Sequence, residues 1–495
     1  MHKNDKILDK FGTMDSKEWI LNGRRMSLDI FHKAAKQVPA YRDFLKKNNI
    51  KANKIKTWED FQSVPFINKK NYLLKYKLSD LCWNGSLNTP LVFTSSSGST
   101  GKPVYFPRGE KLDYQASVIH DLFLNYSKSL KGGPVLVIDA FGMGVWIGGL
   151  ITYKAFEISS RDKNYSISVI TTGINKKEII KVLRELAPSF NKIILAGYPP
   201  FIKDILDMAT EEKINLKKNK WGFVFAAETF TEGFRDYLVE KTNIENPYRD
   251  FLHIYGSADI GAMAAELPVG VLIKRLALKD KKVFSNIFDA SKSPTLAQFI
   301  TPFINFESVN SEIILTGYNT IPLIRYAIGD RGEVLSFDEM NRRLLENNIN
   351  LKKEAKKASI SKCIYKMPFV YIYERSDMTA SLYGINIYPQ VIKDALLSKS
   401  IANNLTGKFA METKFDKKQN QYLEINLELR GKRQATKGLK LKVRKAIVDL
   451  LLSKSSEFKE LYNHLGEKAY PKLVFFNLEH PKYFKSGGKQ KWVKK

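Results

Sequence analysis

The sequence predicts an α/β protein, with helices covering a sheet in a large domain, followed by a separate basic C-terminal domain. Three observations predict it. From Thr89 onward short apolar runs, LVFTS, VLVID, SISVITT, KIILAG and GFVFAAE, alternate with amphipathic segments, the pattern of helices packed on sheet faces. The first 90 residues lack such runs and show helical spacing instead. Residues 376–495 carry 24 Lys plus Arg against 11 Asp plus Glu, a net +13. The organisation expected is an N-terminal helical part over 1–88, a core over 89–375 and a basic domain over 376–495.

In the helical part, SLDIFHKAAKQV puts Leu28, Phe31, Ala34, Ala35 and Val38 on one face, and Pro39 is expected to end the helix. Within the core, Asn175 with Glu178 three residues on reads as a capping box, followed by Ile179, Val182, Leu183 and Leu186 at helical spacing. That helix leads into the strand KIILA. Residues 338–358 are polar with helical character, and read as a surface insertion without chemistry. No repeat of 20 to 50 residues and no low-complexity tract is present.

Composition narrows the class. The chain has 495 residues, 44% hydrophobic and 26% charged, which is ordinary for a globular protein with a sizeable core. Its formal charge of +29 favours anionic partners. No RNP-like, zinc-finger or helix-turn-helix signature accompanies that charge, so nucleic acid is not expected as the partner. Cys82 and Cys363 stand far apart with no CxxC or Cys/His spacing, which excludes a disulfide framework and a zinc knuckle and suits a reducing, cytoplasmic setting. The N-terminus lacks an apolar signal region. The uncharged stretch Ala140–Tyr153 is broken by Gly142, Gly144, Gly148 and Gly149 and is too short to span a bilayer.

The strongest local motif is TSSSGSTGKP, directly after the apolar LVF. Gly98 and Gly101 free the backbone to curl, while Ser95, Ser96, Ser97, Ser99 and Thr100 offer hydroxyls and Lys102 a positive charge, which together make a phosphate cradle. The spacing differs from the GxxxxGK[ST] P-loop. The same residues also suit a plain Ser/Gly loop.

This loop and the segments VPAYRDFLKKNNI, TWEDFQSVPFINKKNY, FGMGVWIGGL, LAGYPPFIKDIL, AAETFTEGFRDYL, IYGSADIG, PLIRYAIGDRGEV, ERSDMTASLYGINIYP and SGGKQKW occur in an order that resembles the adenylate-forming superfamily. The resemblance is to its phenylacetate-CoA-ligase-like branch and spans most of the chain. It implies a large domain joined to a small mobile α+β C-terminal domain, with the Ser95–Lys102 loop on ATP phosphates. Ala227 and Glu228 match the segment lining the adenine site, although a strand-end acid on a solvated edge would look the same. Tyr255, Gly256 and Ser257 match the segment whose aromatic ring lies against adenine, a geometry that ring stacking suits. Asp259 stands where the family places a magnesium-binding Glu, and Ala258 replaces the usual Thr.

By the same resemblance Asp330 accepts hydrogen bonds from the ribose hydroxyls and Arg375 contacts the ribose. Ala327 and Ile328 depart from the family pattern just before Asp330, as do Glu374, Met378 and Tyr383 around the hinge residue Asp377. Lys489 matches the lysine that stabilises charge building on the carboxylate and ribose oxygens, a task a fixed ammonium performs without proton transfer. Phe141, Gly142, Met143 and Trp146 match the border of the acyl pocket, and at their spacing would equally serve as core packing.

The activity implied is ATP-dependent conversion of a carboxylic acid into an acyl-adenylate with release of pyrophosphate, then transfer to a thiol. ATP, Mg2+ and coenzyme A are the implied cofactors. An acidic acyl-carrier protein, an amine or a sugar would use the same first half-reaction. The basic run Arg430–Lys445 suits the phosphates of coenzyme A, an acidic carrier, or solvent. A catalytically degenerate nucleotide-binding protein is the reading from a different class, motivated by the departures at Ala258, Ala327, Ile328, Glu374 and Tyr383.

Overall fold

In the computed structural model the described residues are 5–89, 91–95, 104–145, 147–288, 294–375, 379–396, 398, 401, 403–431, 433–484 and 492–494. The apolar runs become strands: β1 (Val92–Ser95), β2 (Tyr105–Arg108), β3 (Val135–Asp139), β4 (Ile167–Thr171), β5 (Lys192–Gly197), β6 (Lys220–Ala226) and β7 (Phe251–Ser257). All residues of β3 and β5 are buried, as expected for parallel strands covered on both faces. Further along come β8 (Gly261–Glu266), β9 (Thr295–Gln298), β10 (Ile304–Val309), β11 (Glu312–Gly317), β12 (Leu323–Leu335) and β13 (Phe369–Arg375).

Eleven of these strands form one sheet in the order β10-β11-β12-β13-β9-β8-β7-β6-β5-β3-β4. The half from β4 to β7 is parallel, and β8 turns back antiparallel onto β7. The β1/β2 pair stands apart as an antiparallel hairpin.

The N-terminal residues fold as α1 (Asp5–Thr13), α2 (Ser16–Gln37) and α3 (Pro39–Lys47). Pro39 does end α2, but it also occupies the first turn of α3, where its missing N–H costs nothing. Phe31, Ala34, Val38 and Tyr41 pack with Phe306, Ile324 and Tyr326 of the antiparallel half, so these helices cover that part of the sheet.

The Asn175 side chain accepts from the Glu178 N–H at 3.2 Å and starts the helix Lys176–Glu185. Ile179, Val182 and Leu183 are buried, whereas Leu186 lies beyond the helix and is 38% exposed. Residues 338–358 prove less superficial than their polarity suggests. The helices Phe337–Glu346 and Leu351–Lys357 bury Phe337, Met340, Leu344, Leu351 and Ala355 on one face, and Arg343 bonds Glu333 at 2.7 Å.

The structure divides into two compact units, the smaller holding Tyr198–Ile205 and the described residues from Arg375 onward. The smaller contains the hairpin β14 (Ala380–Leu382)/β15 (Ile385–Ile387) and a sheet β16 (Leu405–Phe415)-β17 (Gln421–Leu429)-β18 (Lys472–Phe476). Helices Pro389–Leu396, Lys437–Lys454 and Ser456–Leu465 complete an α+β unit.

Cys82 and Cys363 are both free and buried, and burial pushes each thiol up to about 11. Among the described residues no helix is long and apolar enough to cross a membrane.

Two buried histidines give the fold a pH dependence. Burial lowers His120, which contacts the Ala116 carbonyl at 2.8 Å, to about 4, and lowers His253 likewise to about 4. The unfolded chain takes up these protons near 6.5, the folded chain only near 4, so the stability they contribute is full above 6.5 and lost as pH falls towards 4. The expected loss is on the order of 3 kcal/mol per histidine. Urea unfolding at pH 7 and pH 4.5 measures it, and His120→Leu should flatten the slope; an unchanged midpoint in the parent would contradict the account.

Candidate active site

In sheets of this kind ligands bind outside the carboxyl ends of the parallel strands, and most of the described candidate residues lie there. Phe141, Gly142 and Met143 follow β3, Ala227 and Glu228 follow β6, and Tyr255, Gly256 and Ser257 close β7. Along β7 the chain passes from buried Phe251–Ile254 to half-buried Tyr255–Ser257, so the strand emerges from the core at this edge.

Ala227 has φ +72°, a left-handed conformation costing a non-glycine residue about 1–2 kcal/mol. Such strain concentrates at functional sites. It carries the chain from β6 to Glu228, which is buried at 6% exposure rather than solvated, and whose backbone bonds the His253 ring. Gly256 is required by close approach, since a Cβ there would lie 2.8 Å from the Gly261 carbonyl oxygen.

The central contact is between Tyr255 and Asp330: the phenol donates to Asp330 Oδ2 at 2.5 Å. Three strands separate β12 from β7 in the sheet, and four flat spacings would hold them roughly 19 Å apart. The sheet must therefore curl, and the register shifts of β12 against β11 supply places for it to bend. The Tyr255 ring stacks on Phe306 with centroids 6.1 Å apart, which fixes its plane. The site thus presents an oriented aromatic ring and a buried carboxylate at one strand end.

Asp259, in the turn after β7, is 3% exposed. Its Oδ1 lies 3.1 Å from Lys69 Nζ, and its Oδ2 accepts from the Tyr326 hydroxyl at 2.6 Å. Asn319 Nδ2 donates to the Asp259 carbonyl at 3.1 Å. Lys69 is placed locally: Ile67 bridges Tyr326 of β12, and Asn68 and Asn71 cap one another through reciprocal side-chain bonds at 2.7 and 2.9 Å. Arg325 ties the same segment down by donating to the Val64 carbonyl at 2.6 Å, to the Gln62 carbonyl, and to Glu307 at 3.1 Å.

This donor set fits a protein-held magnesium ion poorly. Lys69 already balances the Asp259 charge, and among the described residues no group of three or more His, Cys, Asp or Glu side chains could hold a metal. Lys69, Tyr326, Asn319 and Arg325 escaped the sequence reading as site residues, although Lys69, Arg325 and Tyr326 lie inside the quoted segments FINKKNY and PLIRYAIGD.

At the β3 end Phe141 is buried, and its N–H donates to Asp139 Oδ1 at 3.2 Å. Burial pushes the Asp139 carboxyl well above the usual carboxylate range. Met143 is half-buried beside Gly149, where a Cβ would lie 2.7 Å from the Gly142 carbonyl oxygen. Phe141 is thus a core side chain, while Met143 stands at the edge of the core.

Ser95 ends β1 and its N–H donates to the Val145 carbonyl at 3.1 Å, bringing the start of the Ser-rich loop to the loop after β3. Ser96, Ser97, Gly98, Ser99, Thr100, Gly101, Lys102, Trp146, Asp377 and Lys489 lie outside the described residues. Arg375 is the last residue of β13. Both flanks of Lys489 are anchored on the smaller unit. Tyr483 and Phe484 are buried against Ala410, and Val493 bridges Met411 while Trp492 packs on Phe409 at 4.9 Å.

No family model and no curated protein matches the chain. Solved structures do. A 2-hydroxyisobutyryl-CoA ligase in complex with 2-HIB-AMP and CoA in the thioesterification state aligns with a TM-score of 0.65 at 16% identity, over 98% of this chain and 91% of that one. The same ligase in an open conformation with 2-HIB-AMP and CoA aligns with a TM-score of 0.54 at 14% identity, over 98% and 94%. Its postadenylation state with R3-HIB-AMP gives 0.54 at 15% identity, over 98% and 91%. At these identities the likeness is one of fold.

Proposed function

We propose that this chain, which has the adenylate-forming fold of those ligases, activates a carboxylic acid with ATP and passes the acyl group to a thiol. The observation that carries the reading is the Tyr255–Asp330 pair beside the strained Ala227–Glu228 turn, at the carboxyl ends of the parallel strands. In the first step a carboxylate oxygen bonds to the α-phosphorus of ATP, the bond from that phosphorus to the bridging oxygen breaks, and pyrophosphate leaves. In the second a thiolate attacks the acyl carbon and AMP departs with the bonding pair.

For this chain's residues, Asp330 accepts from the ribose hydroxyls, and Tyr255 orients that carboxylate with its hydroxyl while its ring borders the adenine. The Ser95–Lys102 loop and Lys489 neutralise charge on the phosphates and the reacting oxygens, so the rate comes from positioning and electrostatics rather than a covalent enzyme residue. Coenzyme A is the acceptor that the phenylacetate-CoA-ligase-like resemblance implies, and a cytoplasmic setting suits it.

The degenerate nucleotide-binding reading draws on one observation, the neutralisation of Asp259 by Lys69. ATP–pyrophosphate exchange across a panel of carboxylic acids separates the two, since a pure binder exchanges with none.

Asp330→Ala is expected to weaken ATP binding by about 2–3 kcal/mol, roughly 30- to 150-fold, the value of hydrogen bonds to a charged group. Tyr255→Phe, which removes only the orienting hydroxyl, should cost roughly tenfold or less. Calorimetric titration measures both, and unchanged affinity in a folded Asp330→Ala protein would remove the ribose assignment.

A further inference from the structure

Away from the strand ends, α1, α2, the first turn of the helix Glu110–Tyr126 and the chain after β11 line an open cleft of about 330 Å3. That is the low end of the range for small-molecule sites. Four cations line it: Lys10 of α1, Arg25 and Lys33 of α2, and Lys111. Asp29 is the one acid in its lining. Neither of the sheet-end sites nor the Ser-rich loop uses any of these residues.

Lys10, Arg25, Lys33 and Lys111 are all exposed at the rim of this cleft. On some other helices exposed cations pair with acids at helical spacing, as in Lys154–Glu157 at 2.9 Å and Lys445–Asp449 at 2.8 Å. On α2, Arg25 and Lys33 lie four residues before and after Asp29, yet neither comes within ion-pair distance of it. Among the described residues no ion pair is made by Lys10, Arg25, Lys33 or Lys111. Lys111 instead places its Nζ 3.3 Å from the centroid of the Tyr318 ring. Burial, and then the neighbouring Lys33, lower its affinity for a proton.

The ring that Lys111 covers is rigidly held. Tyr318 stacks on Trp83 with centroids 5.2 Å apart and planes 22° apart, and Trp83 Nε1 donates to the Asn319 carbonyl at 2.8 Å. Three lysines and an arginine facing one small cavity repel one another, and an anion entering it would relieve that repulsion. Arginine contributes a planar fork and the lysines point charges, a combination matched to phosphate oxygens.

We propose that this cleft is a binding site for a small phosphate-bearing anion, distinct from the adenylate site, with Arg25, Lys33 and Lys111 as its principal ligands. The shared chemistry is a diphosphate or a phosphomonoester dianion, free or carried on a nucleotide. The proposal does not depend on the ligase reading. Asn319, the residue after Tyr318, donates to the Asp259 carbonyl at 3.1 Å.

The test is calorimetric titration of the full chain with inorganic pyrophosphate, orthophosphate and adenosine 3′,5′-bisphosphate in parallel. The two inorganic arms and the nucleotide arm distinguish a free phosphate from one carried on a nucleotide. The comparison is between the parent, Lys33→Ala/Lys111→Ala, and a control that removes equal charge from an exposed helix, Lys352→Ala/Lys353→Ala. At least one ligand should bind the cleft variant about tenfold or more weakly while the control stays within about twofold of the parent. Arg25→Gln alone should weaken the same ligand by at least about threefold, and serves if the double variant folds poorly. Equal affinity in the parent and cleft variants, equal losses in the cleft and control variants, or no binding of any of the three ligands would each overturn the assignment.

Discussion

Lys489→Ala is expected to slow ATP–pyrophosphate exchange by about 100-fold or more, about 2.7 kcal/mol of transition-state stabilisation, while leaving ATP binding nearly intact. The expectation rests on the SGGK context, which no other lysine in the tail shares. It rests also on chemistry, since a fixed ammonium stabilises charge that develops only as the carboxylate meets the phosphorus, so its loss falls on the rate and not on ground-state affinity. The structure provides an internal control. Lys494 lies over the Tyr483 ring at 4.0 Å and donates to the Lys482 carbonyl, a packing role at the chain end. Lys494→Ala should therefore exchange within about threefold of the parent, because exposed packing contacts are worth little to a barrier. An exchange rate for Lys489→Ala inside that same window would withdraw the catalytic assignment.

The second large effect concerns stability. Arg235→Ala should destabilise the protein by about 3–5 kcal/mol, the cost of breaking a buried ion pair and leaving its partners uncompensated. Arg235 is fully buried between the rings of Phe230 and Phe251, at 5.0 and 4.7 Å, and bonds Glu232 at 2.9 Å and Glu266 at 2.7 Å. Lys274 also holds Glu266, at 2.6 Å, and Arg275 holds Glu232 at 2.7 Å. Burial raises the Glu266 carboxyl, yet Lys274 and Arg235 outweigh it and hold the group below its ordinary range. Removing Arg235 leaves the buried Glu266 and the largely covered Glu232 with fewer counter-charges, and Glu266 lies directly opposite His253 on the strand that also carries Tyr255. Arg275→Ala, at a side chain 20% exposed, should cost about 1 kcal/mol or less because solvent can replace it. Guanidinium unfolding of the two variants measures the difference; equal small losses would mean the network contributes little.

What the sequence determined alone is the part written in local pattern. Runs such as VLVID and KIILAG are strands because a buried parallel strand must be apolar on both faces, and that requirement is visible without any partner. The Asn175 cap was legible for the same reason, its bond reaching only three residues. The ordered segments carried the fold as well, and pointed to Tyr255 and Asp330.

Tertiary structure decided the rest. Pro39 reads as a stop, yet starts α3, because helix initiation depends on what the next turn can pack against, here the antiparallel half of the sheet. The polar 338–358 region reads as surface, yet a single apolar face sufficed to dock it. The Tyr255–Asp330 bond joins residues 75 apart through a curled sheet. Lys69 neutralises Asp259 only because the isolated bridge from Ile67 to Tyr326 delivers it there. A local pattern fixes which faces are buried, but which charged group meets which depends on chain crossings that no short window of sequence contains.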